Sequence, residues 1–563
     1  MMTGHKRAAR AAARLTLRFR DDTSGNVAIV FALVGVVLML AIGAAVDVGR
    51  WLHARDQTVA AIDAAVLAGG RALQTNSTEA AAIAAAKKYY DENVTSRLAL
   101  INDTVTFKVA PDGMGMTASG SAAIKTPFLS FANVNSLPLL STSQTDFGKS
   151  QIAVGGNGGQ NIEVSLILDI TGSMAGQKLT DLKTAAKDLV DIIVWPDQSK
   201  HTSKVALVPY SMGVNVGDYA DKVRGVPPAP KKITKATKAN PVVITAASHG
   251  FANNDIVYIT GVKGMTQLND KPYTVKNKTA NTFELYSVAV NASSATKING
   301  SSYSTYSSGG DAYCTKDRCE YRQFFNASNP SQSRVFRKSK CVAERTGSAA
   351  YTDAAPSTVT ALVGTNYPST DNACPTNEIQ PLTSDKQSVL NQITALDDGG
   401  STAGQIGIAW GWYMLSPNFG YLWPPANQPA SYSDLTTLNE NGQPKLKKIA
   451  VIMTDGDFNT PYCTGVISKD ALSGSGSDAD HINCNATNGD PFAQAKKLCE
   501  NMDEAGITVY TVGFDVANLA AARDLMNKCA TEPTNVYIAD DGEELKQAFR
   551  DIALKLSSLY LSK

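Results

Sequence analysis

The chain has 563 residues, with 52 Lys+Arg against 51 Asp+Glu and 43% hydrophobic content, enough at roughly 150 residues per domain for three or four folding units. A formal net charge of +1 and a charged fraction of 18% exclude the bulk electrostatic footprint of a nucleic-acid binder and argue against wholesale disorder. Any partner must therefore be recognised locally.

At the N-terminus, Lys6, Arg7, Arg10, Arg14, Arg18 and Arg20 precede an uncharged run from Val27 to Val46, VAIVFALVGVVLMLAIGAAV. About twenty residues at about 1.5 Å each just cross a hydrocarbon layer of about 30 Å. A buried core helix of that length would show a polar stripe. A cleaved secretory signal would have an apolar stretch of only about 7–15 residues and a small-residue cleavage site, whereas this run continues into Asp47-Val48-Gly49-Arg50-Trp51. The pattern predicts one transmembrane helix over residues 25–50 behind a basic cytoplasmic tail, residues 1–24, with everything after Arg50 outside by the positive-inside rule. All eight cysteines, Cys314, Cys319, Cys341, Cys374, Cys463, Cys484, Cys499 and Cys529, follow the span, an even number in a compartment where disulfides persist. Their spacing selects no pairing, and the absence of paired C-x-x-C knuckles argues against zinc.

Gly25 ahead of the span, AVDVGRW from Ala45 to Trp51, and RDQTVAAIDAAVLAGGRAL from Arg55 resemble the N-terminal segment of the TadE/TadG group of tight-adherence (Tad) pilus-assembly proteins. Pilin-like members that are cut by a prepilin peptidase carry a Glu shortly after the cleaved Gly. Here that position is Val30, so the resemblance implies a permanently anchored, TadG-like protein. The Ala-rich run from about Arg55 to Tyr90 has high helix propensity and is expected to extend the membrane helix outward as a stalk. Short strands are expected around Val105, after Met116 and near Leu139, giving a small pilin-like α+β region within residues 51–148. GGNGGQ, from Gly155 to Gln160, reads as a flexible joint within a linker at 149–161.

After that joint, Ile162 to Leu168 (IEVSLIL) is an apolar run of buried-parallel-strand type. It ends in Asp169-Ile170-Thr171-Gly172-Ser173-Met174 and is followed by a helical pattern from Lys178. A strand, polar loop and helix in this order place ligands at the carboxyl edge of an α/β sheet. A carboxylate and two hydroxyls at alternate positions supply hard oxygen donors, suited to Mg²⁺ or another hard divalent ion. Downstream, Gly399-Gly400-Ser401-Thr402 precedes another helix, and the strand pattern Lys448 to Met453 ends in Thr454-Asp455-Gly456. Together these loops resemble the von Willebrand factor A (vWA) domain and its metal-ion-dependent adhesion site (MIDAS), Asp-x-Ser-x-Ser, then Thr, then Asp. Asp169, Thr171, Ser173, Thr402 and Asp455 occupy those positions, with Thr171 in place of the usual Ser. The resemblance implies a divalent cation, Mg²⁺ with Mn²⁺ or Ca²⁺ as alternatives, bound directly by hydroxyls and directly or through water by carboxylates, and open to an Asp or Glu from a protein partner. The bland alternative is that Ser173 and Thr402 act only as helix N-caps.

Two lookalikes fail. In Gly172 to Leu179 the glycines are too close, Gln177 separates Gly176 from Lys178, and Leu179 stands where a phosphate-binding loop needs Ser or Thr. Asp455 and Asp457 lack the polarising His or Lys cluster that paired catalytic carboxylates use. Further strands are expected at Val205, Gly506 and Asn535, and helices before Asp397 and from Glu543. These complete a doubly wound, Rossmann-like vWA domain over 162–563. Residues 217–385 exceed any loop and are expected to form a β-rich insertion. Its part at about 240–290 alternates apolar and polar residues like a small antiparallel β-barrel and resembles β-modules inserted in phage-tail and other surface proteins. Within it His249 reads as a turn residue, and Lys231, Lys232, Lys235 and Lys238 as a solvated face. Cys314, Cys319, Cys341 and Cys374 are expected to hold loops near the metal face, and a bridge between Cys463 and Cys484 would pin the rim.

The fold class expected is thus α/β, with a transmembrane helix, a pilin-like α+β region and a vWA domain carrying an insertion. The function expected is not enzymatic. It is a single-pass inner-membrane protein with a cytoplasmic N-terminus and periplasmic C-terminal domains, binding a protein partner through metal in Tad/Flp pilus assembly or anchoring, alongside other Tad components and with no nucleic acid. The alternative is an envelope adhesin unrelated to pili.

Overall fold

The computed structural model describes residues 26–74, 79–94, 100–109, 115–140, 148–151, 160–196, 198–199, 201–356, 361–440, 442–557 and 560–562. The basic cluster, Gly25 and most of the Gly-rich joint lie outside the described residues. The chain divides into two compact units, Met1–Ile152 with Leu559–Lys563, and Ala153–Ser558.

In the first unit, helix α1 (Asn26–Gln74) runs unbroken for 49 residues. Its stretch Ile29–Gly70 is long and apolar enough to cross a membrane, and from Ile29 to Ile42 its large apolar side chains are exposed. Beyond Asp47 the helix turns Ala-rich and packs against α2 (Glu79–Asn93), with Ala61, Ile62, Ala65 and Val66 meeting Ala82, Ala86 and Tyr90. The run expected as one stalk to Tyr90 is therefore two helices, the second folded against the first. Small residues let the backbones approach: a Cβ on Gly69 would stand 2.9 Å from that of Ala86. Packing a face in this way stabilises helices that propensity alone leaves marginal. Thr106–Val109, Gly115–Ser119, Gly148–Gln151 and Tyr560–Ser562 form one antiparallel sheet in that order, and Ala123–Lys125 pairs with Ser136–Pro138. Strands thus lie where they are expected near Val105, Met116 and Leu139, but the last strand of the chain belongs to this unit and not to the larger one.

The larger unit is built on a six-stranded sheet of β1 (Asn161–Asp169), β2 (Ser203–Tyr210), β3 (Gln380–Thr383), β4 (Leu446–Thr454), β5 (Thr508–Phe514) and β6 (Val536–Ala539), in the order β3-β2-β1-β4-β5-β6. All neighbours are parallel except the edge strand β3, which is antiparallel to β2. Helices α3 (Gln177–Ile193), α4 (Lys386–Thr394) and α8 (Gly542–Ser557) pack on one face through Leu182, Val389 and Phe549. Helices α5 (Gly404–Leu415), α6 (Pro491–Glu504) and α7 (Ala520–Cys529) cover the other through Ile406, Leu498 and Leu525. Central strands buried on both sides explain their unbroken apolar runs. Because β3 lies inside 217–385, the excursion returns to the sheet before residue 385. Gln-Pro-Leu-Thr reads poorly as a strand, yet an edge position tolerates its proline.

Within the excursion, Val243–Thr245, Ile256–Thr260, Lys271–Lys276, Thr282–Tyr286 and Asp311–Cys314 form an antiparallel sheet. The segment Lys231–Ala236 pairs with both of its edges, which closes it into a barrel around Ile244, Val257, Val275, Phe283 and Leu285. His249 is buried in that core, stacked on Phe251 at 5.4 Å and edge-on to Phe283 at 5.0 Å. The cysteines pair as Cys314–Cys319, Cys341–Cys374, Cys463–Cys484 and Cys499–Cys529.

Helix α5 lies unusually close to the sheet. A Cβ on Gly407 would stand 2.5 Å from the Tyr210 ring, and one on Gly411 would stand 2.1 Å from the Ile167 side chain. Glycine here is required by contact distance, because any side chain would lift the helix off β1 and β2. Gly407→Ala is expected to destabilise the protein by about 1–3 kcal/mol through overpacking, read as a lowered thermal midpoint of the full chain in detergent. Substitution of exposed Gly176→Ala, where nothing stands within 4 Å but φ is +78°, tests strain without packing and should cost about 1 kcal/mol.

Candidate functional site

Parallel strands deliver their carboxyl ends to one edge of the sheet. β1 ends at Asp169, and the chain turns through a short 3₁₀ segment, Gly172–Met174, into α3. β4 ends at Thr454, immediately before Asp455. Asp169 is fully buried and accepts four hydrogen bonds. Thr171 donates to Oδ1 through its amide at 3.0 Å and its hydroxyl at 2.6 Å. Thr454 Oγ1 and Tyr210 OH donate to Oδ2 at 2.8 and 3.1 Å. Ser173, exposed at the surface, donates to Asp455 Oδ1 at 2.6 Å, and its oxygen lies 2.9 Å from Thr171 Oγ1. Lys178, the second residue of α3, reaches Asp455 Oδ2 at 3.1 Å and Asp515 Oδ2, just after β5, at 3.0 Å.

Four of the five sequence-predicted residues, Asp169, Thr171, Ser173 and Asp455, thus form one chain of contacts, two hydroxyl-to-carboxylate hydrogen bonds whose hydroxyl oxygens lie 2.9 Å apart. The loop carrying Thr402 abuts it: Gly400 O accepts from Gly172 N at 2.9 Å, and Gly399 N donates to Ile170 O at 2.9 Å. Thr402 is buried, its amide donating to Asn459 Oδ1 at 3.0 Å and its carbonyl accepting from the amides of Asn459 and Thr460. No N-cap bond to a side chain is made at the start of α3 or α5, where Gly176 and Ala403 are the caps. The capping alternative for Ser173 and Thr402 is therefore not the arrangement found. Asp457 is exposed and takes no part in this chain.

Sequence reasoning missed the residues that hold these loops. Asn372 donates to Ser401 Oγ at 2.6 Å and to Ser475 O at 3.1 Å, and accepts from Ser401 N at 3.0 Å. It lies beside Cys374 of the Cys341–Cys374 bridge, so a disulfide-held segment of the excursion does reach the loops at this edge. Tyr210 and Thr454 each end a predicted strand, which was the available signal for them. Asn372 and Asn459 sit in irregular sequence with no periodicity to mark them.

The electrostatics follow from burial. Burial, then the nearby charge of Asp455, push Asp169 up to about 6 against the lowering effect of its hydrogen bonds. Burial and the Asp169 charge raise Tyr210 well above the ordinary phenol range, so it stays a donor. Burial alone would lower Lys178, but Asp515 and Asp455 outweigh it and hold it charged.

Two further polar clusters lie elsewhere. Ser475 Oγ is 3.3 Å from His481 Nε2, but both are buried and the serine donates to Leu472 O at 2.7 Å, which is a structural contact and not an accessible nucleophile. Glu344 lies under α5, accepting from Gln405 and Gln494 at 2.8 and 3.2 Å. Burial pushes it up to about 7 against the lowering effect of those bonds. Among the described residues no group of three or more His, Cys, Asp or Glu side chains is placed to hold a metal. Any cation at the sheet edge would therefore depend on hydroxyls.

Residues 25–72 match the family described as "Putative Flp pilus-assembly TadE/G-like", and residues 239–316 match "Ubiquitin-activating enzyme E1 FCCH domain". The first match agrees with the resemblance read from the apolar helix and its exit. The second covers the barrel except for its closing segment Lys231–Ala236. No curated protein matches the chain. Among solved structures, the vWF domain of the type V pili tip protein Mfa5 from Porphyromonas gingivalis aligns at 11% identity and TM-score 0.30, covering 70% of this chain and 95% of that one. The pilus adhesin SpaC from Lactobacillus rhamnosus GG, in its open conformation, aligns at 11% identity and TM-score 0.29 over 73% of this chain and 31% of that one. The adhesive tip pilin GBS104 from Group B Streptococcus agalactiae aligns at 12% and 0.28, over 70% and 99%.

Glu344 and Asp169 both bind protons more tightly folded than unfolded, so the folded state is favoured at low pH. Above the ordinary carboxylate range the unfolded chain has lost these protons while the folded chain still holds them, and stability falls as pH rises toward about 6 for Asp169 and about 7 for Glu344. With chelator present, Glu344→Gln should flatten the decline up to about pH 7 by a few kcal/mol at most. Asp169→Asn should flatten only the part below about pH 6. Thermal midpoints across pH 4.5 to 8 measure both.

Proposed function

We propose that the sheet edge is a MIDAS of a doubly wound vWA domain, holding a divalent cation, Mg²⁺ first and Mn²⁺ or Ca²⁺ as alternatives, through which an envelope-anchored protein binds an acidic residue of a partner. The observation that carries this reading is the direction of the hydroxyl protons. Thr171 donates to Asp169 and Ser173 to Asp455, each at 2.6 Å, so both hydroxyl oxygens keep lone pairs for a cation. Their 2.9 Å separation equals the edge of about 2.9 Å expected between adjacent ligands of an octahedral ion with bonds of about 2.1 Å. The donor set fits a hard cation. Thr171 and Ser173 would hold it directly, Asp455 and Thr402 would complete the protein's side, and Asp169, whose oxygens already accept four bonds, would act through Thr171 or water.

The cation would supply residual positive charge, since neutral hydroxyls do not cancel it. Ser173 is the exposed member, so an Asp or Glu of a partner would approach on its side. Lys178 orients Asp455 by an ion pair and is itself steadied by Asp515. Binding, not catalysis, suits this arrangement. A serine poised for attack needs an adjacent base that is free to take its proton, whereas the carboxylate beside Ser173 is tied to Lys178.

The Tad-type segment at residues 25–72 and the apolar stretch of α1 support a single-pass anchor in the bacterial inner membrane. With the basic tail inside, the larger unit is periplasmic, where its four disulfides would be stable. The partner is accordingly another component of Tad/Flp pilus assembly or anchoring.

Calorimetric titration of the full chain with Mg²⁺ should give one site. Ser173→Ala and Thr171→Val should each weaken it at least about tenfold, and recovery of partner in a pull-down should fall with chelator. Partner recovery unchanged by chelator would overturn the metal-bridged reading.

A further inference from the structure

We propose that the loop Thr126–Asn135 of the first unit is a membrane-docking element, seated in the bilayer interface beside the end of the span. The proposal rests on the reading of α1 as a membrane anchor and adds a second contact with the same lipid surface.

Along the apolar part of α1 nearly every described side chain is exposed, but Gly43 and Asp47, one turn apart, are buried. The loop covers them. A Cβ on Gly43 would stand 2.7 Å from the Phe128 side chain, so the ring lies directly on the helix backbone. The Asp47 carboxylate accepts from the amides of Phe128 and Leu129, both at 2.8 Å, capping the 3₁₀ turn Leu129–Ala132. Trp51, the next turn along, donates its indole N–H to Pro138 O at 2.7 Å. Gly43 precedes Val46, the last residue of the uncharged run, by about 4.5 Å of helix rise. A loop locked to Gly43 therefore lies level with the margin of the hydrocarbon layer.

The composition fits that depth. No charged residue occurs between Lys125 and Asp146. The loop leaves Phe131 81% exposed, Phe128 45% and Val134 39%, an apolar cluster costly to keep in water. Aromatic side chains concentrate at membrane interfaces, and Lys125 at the foot of the hairpin is exposed, where a lysine can reach lipid phosphates. Continuity with the span selects lipid as the occupant.

The test uses the full chain in vesicles of phosphatidylcholine and phosphatidylglycerol with brominated acyl chains. Phe131→Trp and, separately, Leu38→Trp are compared, and the emission of the parent protein is subtracted. Phe131 is too exposed for its replacement to disturb the fold. Leu38 reports the span. The expected result is at least twofold quenching of Phe131→Trp, strongest with bromine near the headgroup, and quenching of Leu38→Trp strongest with bromine deep in the chain. If Leu38→Trp is quenched while Phe131→Trp is unquenched and red-shifted, the loop is in water and the proposal fails with the anchor intact. A blue-shifted but unquenched Phe131→Trp means that protein covers the loop, which also overturns it. If neither is quenched, the anchor reading fails and takes this proposal with it.

Discussion

A carboxylate stripped of water at the end of a central strand dictates most of what surrounds it. Asp169 has no exposure, and an isolated buried charge is too expensive to persist. The fold meets that cost by aiming four donors at its two oxygens from three segments: its own loop, β2 through Tyr210, and the end of β4 through Thr454. Even so, its proton affinity stays high, because burial and, after it, the charge of a second carboxylate, Asp455, both disfavour the ionised form. Two acids crowded at a sheet edge, only one of which, Asp455, is paired with a lysine that it shares with Asp515, are an arrangement that added positive charge would relax. The local electrostatics therefore argue in the same direction as the geometry of the hydroxyls.

That constraint propagates into the core. The Tyr210 side chain that reaches Asp169 lies directly against α5, and α5 can lie there only because Gly407 has no side chain. The helix reads as apolar all round, and the structure buries it all round, between the sheet and α6. Its glycines are thus part of the site's support at one remove. A helix packed this closely also fixes where its N-terminus begins, and with it the loop Gly399-Gly400-Ser401-Thr402 that meets Gly172.

The legible features were those with a period or a fixed order. Apolar runs at Ile162, Val205 and Lys448 marked β1, β2 and β4, because strands buried on both faces need no polar alternation. The Asp-x-Thr-x-Ser turn was readable because it follows such a run directly. Alternation with Gly and Asn turns marked the barrel, though not that Lys231–Ala236 closes it, since pairing partners distant in sequence leave no local trace. Helix α6 carried a usable signal that went unread: Asp490 accepts from Ala493 N as N-cap, with Pro491 at the first helical position. The fold-back of α2 on α1 was hidden because alanine favours a helix equally whether it is exposed or packed. Asn372 and Asn459 act through side-chain hydrogen bonds across long sequence separations, which no pattern in a single sequence encodes.

The disulfides explain how so irregular a rim can present defined contacts. Ordering a long excursion costs entropy that grows slowly with its length. Cys341–Cys374 ties the segment bearing Asn372 to the strand Cys341–Ala343, beside β2's continuation at Val214–Asn215. Cys463–Cys484 closes the polar excursion that follows Asp455 and contains Ser475. Asn372 bonds to Ser475 O, so the two cross-linked segments meet above the Ser401 loop. Each bridge narrows the unfolded ensemble and is worth roughly 2–4 kcal/mol by that route. Covalent restraint thus does at the rim what hydrophobic packing does beneath it, and it does so only in an oxidising compartment.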